Sequence, residues 1–155
     1  MRFKNFRIWR ARLPHWRADE VTYYVTFRHS RPLDSGERQT LLKAIVSSED
    51  RKLSFQIACV LPERSEMLFR VLNQGDSSQI EFATLIEAAK RKAGKAIIKL
   101  TGERYPPFWE ESYDRIVRDE AEFEERLAAI VDSPVAAELV EDPKEYAQLY
   151  WSSRP

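Results

Sequence analysis

The chain has 155 residues and a mass of 18.2 kDa, which is the usual size of one compact domain. With 43% hydrophobic residues, 12% aromatic residues and 4 glycines, the composition indicates a globular protein with a buried core and excludes fibrous and disordered classes. The 25 basic and 25 acidic residues give a formal net charge of zero, which excludes a uniformly basic nucleic-acid coat and an acidic solvating tail.

The zero net charge hides an uneven distribution along the chain. Residues 1–109 carry 20 basic and 12 acidic groups, whereas residues 110–155 carry 5 basic and 13 acidic groups. The first segment therefore has a net charge of +8 and the second a net charge of −8. We expect the first segment to attract a polyanion and the acidic part of the second to repel it.

Cysteine usage and hydropathy indicate the compartment. Cys59 is the one cysteine of the chain and lies in an apolar run, residues 55–61, that is typical of a buried strand. No internal disulfide can form, so a reducing cytoplasm is expected. The first residues lack the apolar segment of a secretion signal, and no run approaches the roughly 20 apolar residues that a membrane span needs. We therefore expect a cytoplasmic protein without a membrane partner.

The N-terminal segment, residues 1–17, combines positive charge with aromatic side chains. It has no acidic residue, and its basic and aromatic residues alternate: Arg2, Phe3, Lys4, Phe6, Arg7, Trp9, Arg10, Arg12, Trp16 and Arg17. Basic groups neutralise phosphates and aromatic rings stack on bases, so this basic aromatic arm is a candidate for nucleic-acid binding. Packing of Trp9 and Trp16 against the core is an equally good interpretation.

The segments that follow the arm alternate in a recognisable order of strands and helices. Runs of β-branched and aromatic residues predict strands, and apolar residues at helical spacing after a capping residue predict helices. The predicted strands cover residues 21–27, 53–61, 67–72 and 112–117; the predicted helices begin after Asp34 or Ser35, Asp76 or Ser77, and Asp119, and end near residues 47, 101 and 132.

This βαββαβ succession predicts an α+β fold: a ferredoxin-like antiparallel sheet with helices on one face, plus an additional C-terminal helix. We expect a single domain over residues 1–155. It would consist of the arm 1–17, a ferredoxin-like core over 20–140 and a C-terminal tail over 141–155, with Pro134 and Pro143 breaking the last part of the chain.

Common catalytic signatures are absent from the sequence. There is no Gly-rich phosphate loop, no Cys-x-x-Cys pair, no His-Glu-x-x-His and no Gly-x-Ser-x-Gly elbow. His15 and His29 could form a metal site if they met in space, but a solvated or hydrogen-bonded histidine is the favoured interpretation of each.

Six fragments in a fixed order resemble one known family. They are RLPHW (12–16), YYVTFR (23–28), VLP (60–62), FWEESYDRIVRDE (108–120), SPVAAELV (133–140) and the segment 146–152. Over about residues 10–153 the series resembles the HUH single-tyrosine transposases, in particular the REP-associated tyrosine transposases. The resemblance implies an enzyme on a ferredoxin-like scaffold that cleaves and rejoins single-stranded DNA at hairpin-containing element ends.

The resemblance also implies a mechanism and its residues. In this family a tyrosine attacks the phosphodiester to form a 5′-phosphotyrosine, and one Mg²⁺ or Mn²⁺ ion polarises the phosphate. A His-x-His pair that follows Pro-Asn on a central strand holds the metal, because alternate strand residues point the same way. The tyrosine lies on the last helix, a few residues before Asn-Pro-Val.

This chain departs from the family at both places. Where the family has its metal motif the chain reads Leu61-Pro62-Glu63-Arg64-Ser65-Glu66, so Arg64 and Glu66 replace the two histidines. The tyrosine would fall near Ala128–Val131, and residues 127–135 contain none. We therefore predict no catalytic residue, no bound metal or other cofactor, and a pseudoenzyme in which Arg64 neutralises the phosphate that the metal would contact.

An active enzyme with non-standard residues is the alternative to this prediction. Glu63 and Glu66 could hold a hard cation through oxygen ligands, and Tyr113, Tyr146 or Tyr150 could replace the missing nucleophile. A second alternative is a protein–protein interaction module that has kept only the scaffold.

The predicted function is binding of single-stranded or hairpin DNA without cleavage. In the second long helix, five basic residues from Lys90 to Lys99 form a ridge, because two series among them repeat at i, i+3 or i, i+4. Arg115 and Arg118 are further candidates, although ion pairs with Asp114 and Asp119 are equally plausible. A homodimer is a further possible assembly of the chain. The predicted DNA-binding residues are Arg7, Arg10, Arg12, Trp16, Arg28, Arg64, Lys92, Lys95, Lys99, Arg115 and Arg118.

Overall fold

The computed structural model describes residues 7–10, 14–18, 20–47, 49, 52–72, 81–104 and 109–152. Its strands are β1 (Arg7–Arg10), β2 (Pro14–Arg17), β3 (Thr22–Arg28), β4 (Leu53–Val60), β5 (Arg64–Val71), β6 (Tyr113–Ile116) and β7 (Leu149–Trp151). Its helices are α1 (Ser35–Val46), α2 (Phe82–Thr101) and α3 (Glu120–Ala136), and a single 3₁₀ turn covers Pro143–Glu145. No helix in these ranges is long and apolar enough to cross a membrane.

The main sheet is antiparallel and has five strands in the order β6-β3-β5-β4-β7. Its first four members with α1 and α2 form the βαββαβ unit, so the predicted ferredoxin-like α+β fold is confirmed. The predicted tail over residues 141–155 is wrong in one respect. This segment supplies β7, which pairs with β4 and forms one edge of the sheet.

The two faces of the sheet carry separate hydrophobic clusters. Leu41 of α1 and Ala93 of α2 pack with the face that includes Phe69, whereas Ile130 of α3 packs with the opposite face, which includes Leu68. Both predicted core helices therefore share one face, and the additional helix α3 covers part of the other.

A β-bulge lets β4 contribute to both clusters. The register between β4 and β5 shifts between Phe55 and Ile57, so the residue between them is unpaired. An ordinary strand would place Phe55 and Ile57 on the same face, because side chains alternate. The bulge instead places Phe55 in the cluster of α1 and α2 and Ile57 in the cluster of α3.

Helix α3 continues past the predicted stop. It runs to Ala136 with Pro134 inside it, although a proline removes one backbone donor. The hydroxyl of Ser133 donates to the carbonyl oxygen of Ile130 at 2.7 Å, which is the acceptor that the missing N–H of Pro134 would have used. The serine therefore satisfies the carbonyl, and the helix ends four residues later than predicted near 132.

Strand β5 begins earlier than predicted, and this matters for the site. It starts at Arg64 and not at Met67, so the tripeptide Arg64-Ser65-Glu66 lies within the sheet rather than in a connection. The link from β4 to β5 is a tight turn, which is closed by a hydrogen bond of 2.8 Å from the N–H of Leu61 to the carbonyl oxygen of Arg64. The predicted start of α2 at Asp76 or Ser77 lies outside the described residues; the described helix begins at Phe82 with Glu81 as its N-cap.

Strands β1 and β2 form a separate two-stranded antiparallel ribbon. Arg17, at the end of β2, is buried and joins the ribbon to the core through its Nη1 atom, which lies 2.8 Å from Oδ1 of the buried Asp114 in β6. The guanidinium also stands 3.9 Å from the ring centroid of Phe82. Part of the predicted arm is thus an ordered ribbon docked beside β6.

Candidate nucleic-acid interface

Two arginines stand opposite each other at the ends of neighbouring strands. Arg28 closes β3 and Arg64 opens β5, and the two are cross-strand partners in the antiparallel register. Paired residues point to the same face of a sheet, and both arginines are exposed. Like charges placed directly opposite each other destabilise a sheet, so this pair costs free energy in the absence of an anion.

Arg64 is held by a carboxylate of its own strand. Its Nε donates to Oε1 of Glu66 at 2.8 Å, with the arginine side chain 52% exposed and the glutamate side chain 8% exposed. The hydrogen bond to Glu66 raises the pKa of Arg64. The guanidinium is thereby fixed in direction while most of its donors remain open to solvent. Between Arg28 and the described residues the structure has no ion pair.

A second cross-strand row lies next to the arginine pair. Glu66 pairs with Thr26 of β3, and Thr26 pairs with Tyr113 of β6, so the three side chains share one face. Tyr113 is 37% exposed. We call the set Thr26, Arg28, Arg64, Glu66 and Tyr113 the open face, because α3 covers the sheet at β4 and β5 and leaves these residues beside it.

Aromatic and basic side chains continue along the border between the open face and α3. The ring of Tyr24 stands 6.5 Å from that of Tyr113 in an edge-to-face arrangement. The guanidinium of Arg126 in α3 lies 4.4 Å from the ring centroid of Tyr24. Burial, followed by the charge of Glu66, raises the pKa of Tyr24, so this phenol stays neutral.

A polar cleft of about 350 Å³ lies at the arginine end of the open face. The charged and titratable residues that line it are Arg28, His29, Arg31, Glu63, Arg64 and Glu110. Arg31 is tied down, because its Nη2 atom donates to Glu37 of α1 and to Glu103 just after α2, both at 2.6 Å. The cleft therefore combines two exposed guanidinium groups with carboxylates at its rim.

A buried polar cluster supports the cleft from below. His29 contacts the carbonyl oxygen of Pro62 through Nδ1 at 3.0 Å and the hydroxyl of Ser65 through Nε2 at 2.9 Å. A neutral ring with its proton on Nδ1 satisfies both contacts, since the carbonyl accepts and the hydroxyl donates. Burial lowers the pKa of His29, which favours that neutral form. The predicted interpretation of His29 as a hydrogen-bonded histidine fits these contacts.

The comparisons with known proteins bear on this arrangement. No protein-family profile and no curated protein sequence matches the chain. Among solved structures, a REP-associated tyrosine transposase bound to a REP hairpin superposes with a TM-score of 0.69 over 89% of this chain and 81% of its own, at 18% sequence identity. The chain has a transposase-like fold.

Two other structures are more distant. A bacterial tRNA(His) guanylyltransferase-like protein was solved with GTP and with ATP, and it superposes with TM-scores of 0.48 and 0.49 at 8% identity. These structures cover 79% and 83% of this chain, and 69% and 67% of their own. Scores at this level do not establish a common fold.

This chain does not offer the metal ligands that the family resemblance implies. Arg64 and Glu66 lie on β5 and point to one face, as the two histidines would, but a guanidinium is no metal ligand and Glu66 is engaged by it. Across the described ranges, no group of three or more His, Cys, Asp or Glu side chains is placed to hold a metal. The residues at this position therefore do not fit the family's metal.

Helix α3 of the transposase-like fold contacts the sheet face that carries Arg64 and Glu66, which is where the resemblance places the nucleophile. At the expected positions Ala128 and Ala129 are exposed and Ile130 is buried. Of the substitute tyrosines, Tyr146 is buried and donates to the carbonyl of Val60 at 2.6 Å. Burial raises its pKa to about 12.

The other two substitute tyrosines differ in position. Tyr150 of β7 packs against the core cluster of α1 and α2, on the far face of the sheet. Tyr113 lies on the open face in the row that contains Glu66. Tyr113 is therefore the substitute that shares a face with the motif positions.

Apart from Arg115 and Arg118, the predicted DNA-binding residues fall into three groups. Arg28 and Arg64 come together on the open face. Lys92, Lys95 and Lys99 are exposed on α2, on the other side of the sheet. Arg7, Arg10 and Trp16 lie on the ribbon with only their backbone described, and Arg12 lies outside the described residues.

Three other basic residues are already engaged. Arg115 and Arg118 both pair with Glu122 of α3, at 2.9 and 3.4 Å, so their partner is neither Asp114 nor Asp119. Lys90 does not belong to the predicted ridge, because its side chain is 3% exposed and its ammonium is bonded inside the fold. Burial lowers its pKa.

Sequence reasoning missed Arg31, Arg126 and the Tyr24–Tyr113 contact. One signal was present, since Tyr24, Thr26 and Arg28 alternate with the buried residues of β3 and mark a face that is not fully covered. Arg31 and Arg126 gave no signal, because their contacts join residues that are distant in sequence.

Proposed function

We propose that the protein binds single-stranded or hairpin DNA on the open face and does not cleave it. The observation that carries the proposal is the cross-strand pair Arg28 and Arg64 beside a cleft of about 350 Å³. The structurally similar transposase was solved with a REP hairpin, and this chain shares its fold over 89% of the residues. The proposal assigns the same class of ligand to this chain.

Electrostatics favour a phosphate between the two arginines. Each guanidinium can donate two parallel hydrogen bonds to a phosphate, and a phosphate between them would remove their mutual repulsion. Glu66 keeps Arg64 pointed along the sheet, so little side-chain entropy is lost when the phosphate binds. In this proposal Arg64 supplies the positive charge that a metal supplies in the family.

Tyr113 adds a surface on which a base can stack. Stacking of a base on an aromatic ring contributes about 1–3 kcal/mol and does not depend on the base, which suits an unpaired strand. The exposed carboxylates Glu124 and Glu125 of α3 repel phosphates from the rest of this face. The DNA contact is therefore confined to the arginine end and the edge at β6.

The residues at the motif support the absence of cleavage. The strand-transfer step of the family needs a tyrosine on the last helix and a His-x-His pair that holds a metal, and this chain has neither the tyrosine nor the two histidines at those positions. Tyr113 shares the face, but the side chain to which it hydrogen-bonds is that of Arg115, a cation that cannot take the proton of the phenol.

The test measures binding of a hairpin that carries a single-stranded 5′ extension. Fluorescence anisotropy at two salt concentrations compares the wild type with Arg28→Gln/Arg64→Gln and with the matched control Lys43→Gln/Lys52→Gln, two exposed cations away from the open face. Each lost charge-assisted hydrogen bond costs about 1.5–3 kcal/mol, so we expect the first variant to lose about tenfold or more in affinity and the control to bind as the wild type does.

Two results would overturn the proposal. No binding by the wild type at low salt would reject DNA binding and favour the protein–protein module. Nicking of the hairpin by the wild type in Mg²⁺ or Mn²⁺ would show that the protein cleaves DNA. Loss of this nicking in Tyr113→Phe would identify Tyr113 as the nucleophile.

A further inference from the structure

The exposed side of α2 carries an uncompensated row of cations. Five of its residues are basic, whereas Glu87 is its one acidic residue and is bonded to the buried Lys90 at 2.9 Å. The remaining four cations are exposed, and they have no ion pair with the described residues. We call them the α2 stripe: Arg91, Lys92, Lys95 and Lys99.

The stripe works against the stability of its own helix. Like charges four residues apart destabilise a helix by about 0.2–0.5 kcal/mol per pair, and the pairs Arg91/Lys95 and Lys95/Lys99 both have this spacing. The helix dipole compensates the charge of Lys99 in the last turn, but it does not reach Arg91 or Lys92 in the middle of the helix. A polyanion along the helix would turn this repulsion into attraction.

The shape of the stripe fits the backbone of paired DNA. Arg91 and Lys99 are eight residues apart, which is about 12 Å along a helix axis. A duplex presents about seven phosphates over that length, so four cations can all find partners. The aromatic residue of α2 is Phe82, which is buried, so the stripe has no ring on which an unpaired base could stack.

The C-terminal end of α2 lies near the cleft. Arg31 lines the cleft and binds Glu103, which follows the C-terminal end of α2 by two residues.

We propose that the α2 stripe is a second nucleic-acid site, which binds the phosphate backbone of duplex DNA such as the stem of a hairpin. The site lies on the opposite side of the sheet from the open face and needs none of its residues. The inference therefore goes beyond the proposed function, and each of the two can fail without the other.

The experiment uses a blunt duplex of about 20 base pairs without unpaired ends. Affinity is measured between about 50 and 200 mM salt for the wild type, for Lys92→Gln/Lys95→Gln/Lys99→Gln and for a control with the same change in net charge, Lys52→Gln/Arg70→Gln/Lys144→Gln. Each phosphate contact contributes about 0.9 to the slope of log affinity against log salt. We expect the slope to fall by about 2.7 in the stripe variant and by much less in the control.

Circular dichroism and binding of an unpaired oligonucleotide complete the test. Glutamine keeps the helix and removes the repulsion between like charges, so the stripe variant should melt at the wild-type temperature or slightly above it, and it should bind the unpaired strand with unchanged affinity. The inference is wrong if the wild type does not bind the duplex at low salt, or if the stripe variant and the control lose affinity equally. A stripe variant that binds the duplex normally but changes its sedimentation would assign the stripe to a second copy of the chain.

Discussion

Lys90 and Trp109 hold each other in place although they lie 19 positions apart in sequence. The indole Nε1 of Trp109 donates to the carbonyl oxygen of Lys90 at 3.0 Å. In return the Lys90 ammonium donates to the carbonyl of Glu110 at 3.1 Å and to the hydroxyl of Ser112 at 3.0 Å. It also stands 4.3 Å from the ring centroid of Phe27. The segment that leads into β6 is thereby fixed to α2.

Replacement of Lys90 should therefore affect stability more than replacement of its exposed neighbour. Lys90→Ala removes three hydrogen bonds and buried methylene groups, and we expect a loss of about 2–4 kcal/mol in the free energy of unfolding. Arg91→Ala is the control and should stay within about 0.5 kcal/mol of the wild type. Urea unfolding followed by circular dichroism measures both, and equal losses would contradict the anchoring role of Lys90.

Removal of the charge of Glu66 should strengthen DNA binding. In Glu66→Gln the carboxylate that competes for Arg64 is gone and the open face gains one unit of positive charge. We expect the affinity for the hairpin to rise several-fold and the salt dependence to become steeper. Anisotropy titrations compare this variant with Glu63→Gln, which neutralises an exposed carboxylate at the cleft rim. A weaker affinity in Glu66→Gln would mean that fixing Arg64 in place outweighs the charge.

His29 should make stability depend on pH in the range between about 7 and 5. Burial lowers the pKa of His29 in the folded state, whereas the unfolded state has the ordinary pKa of about 6.5. Below that pH the unfolded state binds more protons, so the free energy of unfolding falls as the pH falls and is recovered above it. Urea midpoints at about pH 7.5, 6.5 and 5.5 should show this decrease in the wild type and a smaller one in His29→Asn. An equal decrease in both proteins would assign it to another group.

Substitution of the buried Tyr146 should lower stability, whereas substitution of the exposed Tyr113 should lower DNA affinity. Tyr146→Phe leaves the buried carbonyl of Val60 without its 2.6 Å hydrogen bond and should cost about 1–3 kcal/mol. Tyr113→Phe removes an exposed hydroxyl, so it should leave stability unchanged, and Tyr113→Ala should reduce affinity for the unpaired strand through lost stacking. Thermal melts and oligonucleotide titrations test both expectations. Unchanged stability in Tyr146→Phe would contradict the first, and unchanged affinity in Tyr113→Ala would contradict the second.

The sequence predicts the order of the elements because local signals mark it. The β-branched and aromatic run of β3 and the capping residue, given as Asp34 or Ser35, are both local signals, and the structure has the strand there and its helix N-cap at Asp34. The early start of β5 escaped prediction because Arg64 and Glu66 are polar, and polar residues in a strand are expected only where the covering layer is incomplete. Strand β7 escaped because three residues are too few to show a period; only its pairing with β4 defines it.

The sequence supplies candidate residues for the site but not their geometry. The expectation that Arg64 and Glu66 stand in place of a metal-binding pair rests on the sequence and the resemblance. That Arg28 stands opposite Arg64 requires the register of two strands that are separated by a helix and another strand. Helical spacing from Ile86, Ala93 and Ile97 places Lys90 on the buried side of α2, but the groups that satisfy its ammonium come from the segment after Trp109, which is distant in sequence.

The separation of charge between α2 and α3 has a kinetic consequence. Helix α2 has five basic residues and one acidic residue, while α3, on the opposite face of the sheet, has five acidic residues and one basic residue. A molecule with no net charge is not pulled along a field, but this dipole experiences a torque near any polyanion. The torque favours encounters in which α2 faces the polyanion, which helps the site proposed on the α2 stripe and opposes approach through the open face on the α3 side of the sheet. Added salt would screen this torque and so make the two approaches more nearly equal.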